Sequence, residues 1–310
     1  MIYRDFIMTT TSDINITQKY FDNFHGILDR DGNPLTNVYW SYTSDTLPIY
    51  GTLYVIHGYG GSPVEPCLKL PMQQAIADGF NVVAIEGVDL SATSGSAKNL
   101  NSMTLARQKQ AIAAGLRYAT TIADLNTSRK IAWAHSISCR ALAELIVDDT
   151  DMRDYFSEVV LNNPYFLAPP KVENMRTKLM QKDPSGKTWE QLTHKSSNME
   201  RIIENHKFKI PTCLYNLCVP LPPIWQSASI KALTRIMARF VSKIRMYCVL
   251  GTSDNMADYQ QNMTLIQNLH IPHKELISIP GANHSFENEL DAYRRFTKSI
   301  LDSIIKHPVH

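Results

Sequence analysis

The sequence predicts an α/β protein: a mostly parallel sheet with helices on both faces and a helical cap inserted late in the sheet. Three observations lead there. Short apolar runs alternate with longer amphipathic stretches along most of the 310 residues, as in chains of β-α units. Several of those runs end in glycine, serine or asparagine, as buried parallel strands feeding loops do. The alternation stops between about 165 and 244 and then resumes. The core is therefore expected at 1–164 and 245–310, with 165–244 as a cap.

Taken in order, "GILDRDGNPLTNVYWSYT" reads as a hairpin around Asp31-Gly32-Asn33-Pro34. "GTLYVIHGYGG" is a buried strand running into a glycine-rich loop. A helix over roughly 64–78, the strand "NVVAIEG", a long helix at about 103–124 and the strand "KIAWAHS" follow. Next come a helix from Ser138 and the strand "EVVLNNP". In the interrupted stretch, prolines break up short helices. One helix there is clean, with Ile230, Leu233, Met237 and Phe240 on one face and Lys231, Arg235, Arg239 and Lys243 on another. It is expected to pack its apolar face down; resting on anionic lipid is the alternative. The strand "RMYCVLG", a helix at 257–269, the strand "ELISIPG" and a helix at 286–305 complete the chain.

Composition narrows the function. Hydrophobic residues are 44% and charged residues 19%, enough for a large core, and a net charge of +2 gives nucleic acid no reason to bind. No window approaches the 18 or so apolar residues of a membrane span, and the N-terminus has no signal-peptide core, so a cytoplasmic protein is expected. Five cysteines without a C-x-x-C pair fit free thiols in a reducing compartment. His270 and His273 form an H-x-x-H without a carboxylate or cysteine partner nearby, so a solvated loop is expected there. Neither a metal nor a cofactor is expected.

The chemistry centres on Ala134-His135-Ser136-Ile137-Ser138, between a strand and a helix. A serine on a sharp strand-to-helix turn needs small residues two before and two after it. Only Ser136 meets that test. Ser138 as nucleophile would have Arg140 at its second corner, and Cys139 would have Ile137 at its first. The turn also opens a helix, whose first amides can face an anion.

"HGYGGSP", residues 57 to 63, resembles the oxyanion loop of α/β-hydrolases, and with the Ser136 turn nearly the whole chain resembles that superfamily. The resemblance implies a Ser–Asp–His order, with the acid after a late strand and the histidine after the last. In "YCVLGTSDNMAD" that acid is Asp254, while Asp258 falls at the next helix as a cap. In "IPGANHSFENEL" the histidine is His284. The resemblance further implies that the backbone N–H groups of Tyr59 and Ile137 hold the oxyanion, and that His57 is a structural loop residue. Serine rather than aspartate at the turn sets the chain apart from haloalkane dehalogenases and epoxide hydrolases. The loop "VDLSATSGSAKN" lacks the Asp-x-x-Gly-His-Gly-x-Ser run of close relatives of the monoacylglycerol lipases. The expected activity is a serine hydrolase cleaving a hydrophobic, small-molecule carboxylic ester. A thioesterase, lysophospholipase, amidase or carbon–carbon hydrolase on the same three residues, or a ligand-binding protein with little turnover, are the alternatives.

Overall fold

The computed structural model describes residues 18–20, 36–41, 43, 47–59, 61–63, 65–87, 105–166, 244–268, 271 and 273–307. Eight strands form one sheet: β1 (Gln18–Tyr20), β2 (Thr36–Ser41), β3 (Gly51–Ile56), β4 (Phe80–Gly87), β5 (Lys130–His135), β6 (Glu158–Asn162), β7 (Arg245–Gly251) and β8 (Lys274–Ile279). Their order is β1-β2-β4-β3-β5-β6-β7-β8. β1 and β2 join antiparallel, and every pairing from β4 to β8 is parallel. The helices are α1 (Pro66–Ala77), α2 (Leu105–Thr120), α3 (Ile137–Asp148), α4 (Thr150–Arg153), α5 (Tyr259–Gln267) and α6 (Leu290–Lys306).

Strand alternation builds two cores. In β3, Tyr54 and Ile56 face α2 and α3, while Leu53 and Val55 face α1 and α6. Both faces of the central strands are therefore covered, which is why β3 and β4 are mostly apolar and buried throughout. α6 buries Tyr293, Thr297, Ile300, Leu301 and Ile304, one stripe at helical spacing.

α1 carries a proline inside it. Pro71 has no N–H to give the carbonyl four residues back, that of Cys67. That carbonyl accepts instead from the Tyr293 hydroxyl at 2.6 Å and from Asn162 Nδ2 at 3.4 Å. The same Asn162 amide also reaches the Tyr293 hydroxyl at 2.9 Å. The missing helix bond thus becomes a tie between α1, α6 and the end of β6.

The expected elements from 51 to 164 and from 245 onwards appear with ends shifted by a few residues. The last helix is shorter at its start: a single 3-10 turn, Glu287–Glu289, precedes α6. The expected hairpin is described only in its second arm. Its first arm lies outside the described residues, and the two edges of β2 are taken by Gln18–Tyr20 and by β4. The cap helix with its apolar and basic faces also lies outside the described residues. At the two ends of the expected cap, Tyr165, Phe166 and Ile244 are buried.

Candidate active site

Four loops leave the carboxyl ends of parallel strands β3, β5, β7 and β8, the edge where open α/β sheets place their sites. β5 lies in the middle, and Ser136 follows it directly. The Ser136 backbone has φ 58° and ψ −127°, a strained conformation for a residue with a side chain. It is held by its own N–H, donated to the Asn162 carbonyl at 3.0 Å, and by its carbonyl, which accepts from Cys139 and Tyr165. The hydroxyl of Ser136 lies 2.9 Å from His284 Nε2, and His284 Nδ1 lies 2.7 Å from Asp254 Oδ2. The structure brings all three expected side chains into one hydrogen-bonded row.

The Asp254 side chain is only 2% exposed, yet its charge is well served. Its Oδ1 accepts from the backbone N–H groups of Met256 and Ala257 at 2.7 and 2.9 Å, leaving Oδ2 for the imidazole. Since a carboxylate only accepts, His284 Nδ1 carries the proton and Nε2 turns its lone pair to the serine hydroxyl. Asp258 does something else: it caps α5, accepting from Gln261 N–H at 2.7 Å. His273 is exposed, and His270 lies outside the described residues.

The loop that begins at His57 is pressed against this turn. A Cβ at Gly58 would lie 2.8 Å from Ser136 Cβ, so the loop can approach only with glycine there. Ile137 is the first residue of α3, so its N–H has no acceptor within the helix, and Tyr59 follows Gly58 directly. His57 is buried and donates from Nδ1 to the Gly58 carbonyl at 2.7 Å. Burial holds its pKa below the usual histidine value. The rejected candidates have structural partners. The Ser138 hydroxyl bonds to the His57 carbonyl and accepts from Gln108 at 2.6 Å. The Cys139 thiol is buried 3.2 Å from the Ala134 carbonyl, and burial raises its pKa.

Sequence reasoning missed Asn163. It is buried after β6 in a left-handed conformation, φ 41°. Its Nδ2 donates to the carbonyls of Asn283 and His284 at 3.1 and 2.8 Å, and its Oδ1 accepts from Gly251 N–H at 2.7 Å. One amide therefore ties the histidine loop to the end of the strand that carries Asp254. Gly251 permits the approach, because a Cβ there would lie 2.4 Å from the Ala282 carbonyl. Phe286, with φ 59°, stacks on Tyr293 at 4.5 Å and anchors the far side of the histidine loop. Among the described residues, the three non-glycine positions with positive φ, Ser136, Asn163 and Phe286, all belong to this site. Asn is one of the few residues that tolerates that conformation, and "LNNP" after a strand was the signal available.

Neither a family model nor a curated protein matches this chain. Solved structures do. Est1E from Butyrivibrio proteoclasticus superposes with a TM-score of 0.58 at 13% identity, covering 94% of this chain and 99% of its own. The peroxisomal α/β-hydrolase Lpx1 of Saccharomyces cerevisiae gives 0.58 at 16%, covering 96% and 90%. The monoacylglycerol lipase of Paleococcus ferrophilus gives 0.55 at 15%, covering 88% and 100%. The chain has the α/β-hydrolase fold. Among its described residues no helix is long and apolar enough to cross a membrane.

Proposed function

We propose that the protein is a serine hydrolase that cleaves a carboxylic ester through an acyl-enzyme at Ser136. The observation that carries this is the row Ser136 Oγ, His284 Nε2, His284 Nδ1, Asp254 Oδ2, with both links at hydrogen-bond length on a strained turn. Two structural neighbours, the Pyrococcus furiosus esterase Pf2001 and the monoacylglycerol lipase, are named for action on esters, which supports the choice of an ester.

The chemistry follows from the geometry. His284 takes the Ser136 proton as Oγ attacks the ester carbonyl, and Asp254 stabilises the imidazolium that forms. The negative oxygen of the tetrahedral intermediate settles on the N–H groups of Tyr59 and Ile137. His284 then gives its proton to the departing alcohol. Water, activated by the same histidine, releases the acid. The Met, Leu, Ile, Phe and Trp content of the sequence from 165 to 244 suits a hydrophobic acyl group.

A fluorophosphonate probe tests the reading. It should label Ser136, located by peptide mass, and Ser136→Ala should abolish labelling and lower turnover of p-nitrophenyl esters by several orders of magnitude. Labelling that survives in Ser136→Ala, or a wild-type protein that turns over no ester, overturns it. Esters of increasing chain length beside thioesters then separate the bond types.

A further inference from the structure

A carboxylate, a thiol and an imidazole meet beside Ser136 without belonging to its row. Glu65, Cys67 and His135 each bring one donor atom within 4.8 Å of the others. Glu65 and Cys67 open α1, and His135 is the residue before the serine. Their approach has local causes. The Glu65 carboxylate occupies the space a side chain at Gly61 would need, with Oε2 2.8 Å from a Cβ built there. The Cys67 thiol points at that carboxylate, 3.9 Å away. His135 donates from Nδ1 to the Asn162 carbonyl at 3.0 Å, which leaves the lone pair on Nε2. The Cδ2 edge of the ring, next to Nε2, faces Gly58 on the same loop. Among the described residues no cation pairs with Glu65, and none hydrogen-bonds His135 Nε2.

We propose that Glu65, Cys67 and His135 form a binding site for a borderline-soft divalent cation, Zn2+ or its analogue Co2+, whose occupancy inhibits the hydrolase. The inhibition rests on the ester-hydrolase reading; the binding does not.

One sulfur, one imidazole nitrogen and one carboxylate oxygen are zinc's own ligand types, and three protein ligands leave a fourth position for water. A ligating histidine commonly gives its other N–H to a backbone carbonyl, as His135 does. Burial pushes the pKa of both Cys67 and Glu65 up, and their place at the start of α1, where the helix dipole favours negative charge, works against that. A thiolate and a carboxylate together cancel the charge of the cation, which suits a largely buried pocket. Around a tetrahedral zinc, ligand atoms stand roughly 3.5 Å apart. Cys67 and Glu65 are already near that spacing, and Glu65, flexible and partly exposed, supplies the remaining movement and the side of entry.

Binding changes no oxidation state. A sulfur–zinc bond forms as the thiol proton of Cys67 leaves to solvent, and any proton on Glu65 leaves with it. Neutral His135 gives up none. Affinity therefore rises with pH. The His135 ring stands 4.8 Å from that of His284, and the Glu65 carboxylate lies within 4.8 Å of a ring nitrogen of the same His135. A bound cation takes that carboxylate and opposes the imidazolium that catalysis requires.

The test uses the full chain after treatment with a chelator. Titration of wild type with Co2+ should give thiolate-to-cobalt charge-transfer absorption. Cys67→Ser should lose that band. Glu65→Gln should weaken binding by more than about tenfold, the low end of what losing even an outer partner costs. Zn2+ should suppress p-nitrophenyl ester turnover over the range that fills the cobalt site, with chelator restoring it. Cys67→Ser, at wild-type turnover without metal, should resist. No band in wild type, or an equal band in Cys67→Ser, overturns the site. A band without inhibition overturns the inhibitory role. The band is read without substrate, so a chain that hydrolyses no ester still decides whether the site exists.

Discussion

The hydroxyl of Ser138 bonds to the carbonyl oxygen of His57, so the second corner of the serine turn grips the loop that carries Tyr59. A glycine at that corner would leave the turn its shape but not this clamp. Ser138→Gly should therefore leave the His57 carbonyl and the Gln108 amide without their buried partner. We expect a loss of about 1–3 kcal/mol in urea unfolding. We also expect kcat to fall more than KM rises, because in the proposed mechanism this loop positions an oxyanion donor. Wild-type stability in Ser138→Gly would mean the clamp contributes nothing.

Asp254 and Asp258 are four residues apart and do different work. Asp254→Asn should keep the loop bonds to Met256 and Ala257 but present the wrong partner to His284. The expected fall in kcat is about 10⁴-fold, the loss seen when the equivalent aspartate of a serine protease is changed in this way. Asp258→Asn keeps a capping side chain and should cost less than about 1 kcal/mol with turnover near wild type. Equal losses in kcat/KM would remove Asp254 from the mechanism.

Asn163 positions His284 through the backbone. Asn163→Gly suits the left-handed φ yet removes three hydrogen bonds; Asn163→Ala removes them and adds strain. Both should slow fluorophosphonate labelling of Ser136 and lower kcat with little change in KM. Only the alanine variant should carry the extra conformational cost in unfolding. If Asn163→Gly labels at the wild-type rate, the amide does not position the histidine.

Acid should destabilise the fold through His57. Burial keeps its folded pKa below the ordinary histidine value, so between that value and the folded one the unfolded chain holds a proton the native state refuses. Stability is full above the unfolded pKa of about 6.5 and falls as pH drops below it, by at most about 1.4 kcal/mol per pH unit for one group. Unfolding midpoints measured from pH 7.5 to pH 5 should show this slope in wild type and a shallower one in His57→Asn. Identical slopes would place the sensitivity elsewhere.

The strands of the parallel sheet were legible because each is a local apolar run whose faces are both buried. The positions of Ser136, Asp254 and His284 were legible for a related reason: each follows such a run at a loop, so reading the strand locates the loop. Asn163 was not, because its role depends on loops from β7 and β8 that converge on it only after folding. The strand partners of β2 were not legible either, on the same ground. Asp31-Gly32-Asn33-Pro34 is a strong local turn signal, but the partners of β2 are set by the rest of the sheet. Pro71 in α1 would argue against a helix until Tyr293, more than two hundred residues later, takes up the orphaned carbonyl.

Ala134 and Ser138 stand where such turns most often carry glycine, and neither has a positive φ. The corners thus demand small size, not the conformational freedom of glycine. The consequence falls on the denatured chain. Two residues with side chains have fewer backbone states to lose on folding than two glycines, and each such exchange at a compatible position favours the native state by about 0.4–1 kcal/mol. Strain at Ser136 draws on the order of 1–3 kcal/mol in the opposite direction. In this chain a good part of the stress concentrated at one residue is therefore offset by its second neighbours on either side, through states visited only when the protein is unfolded.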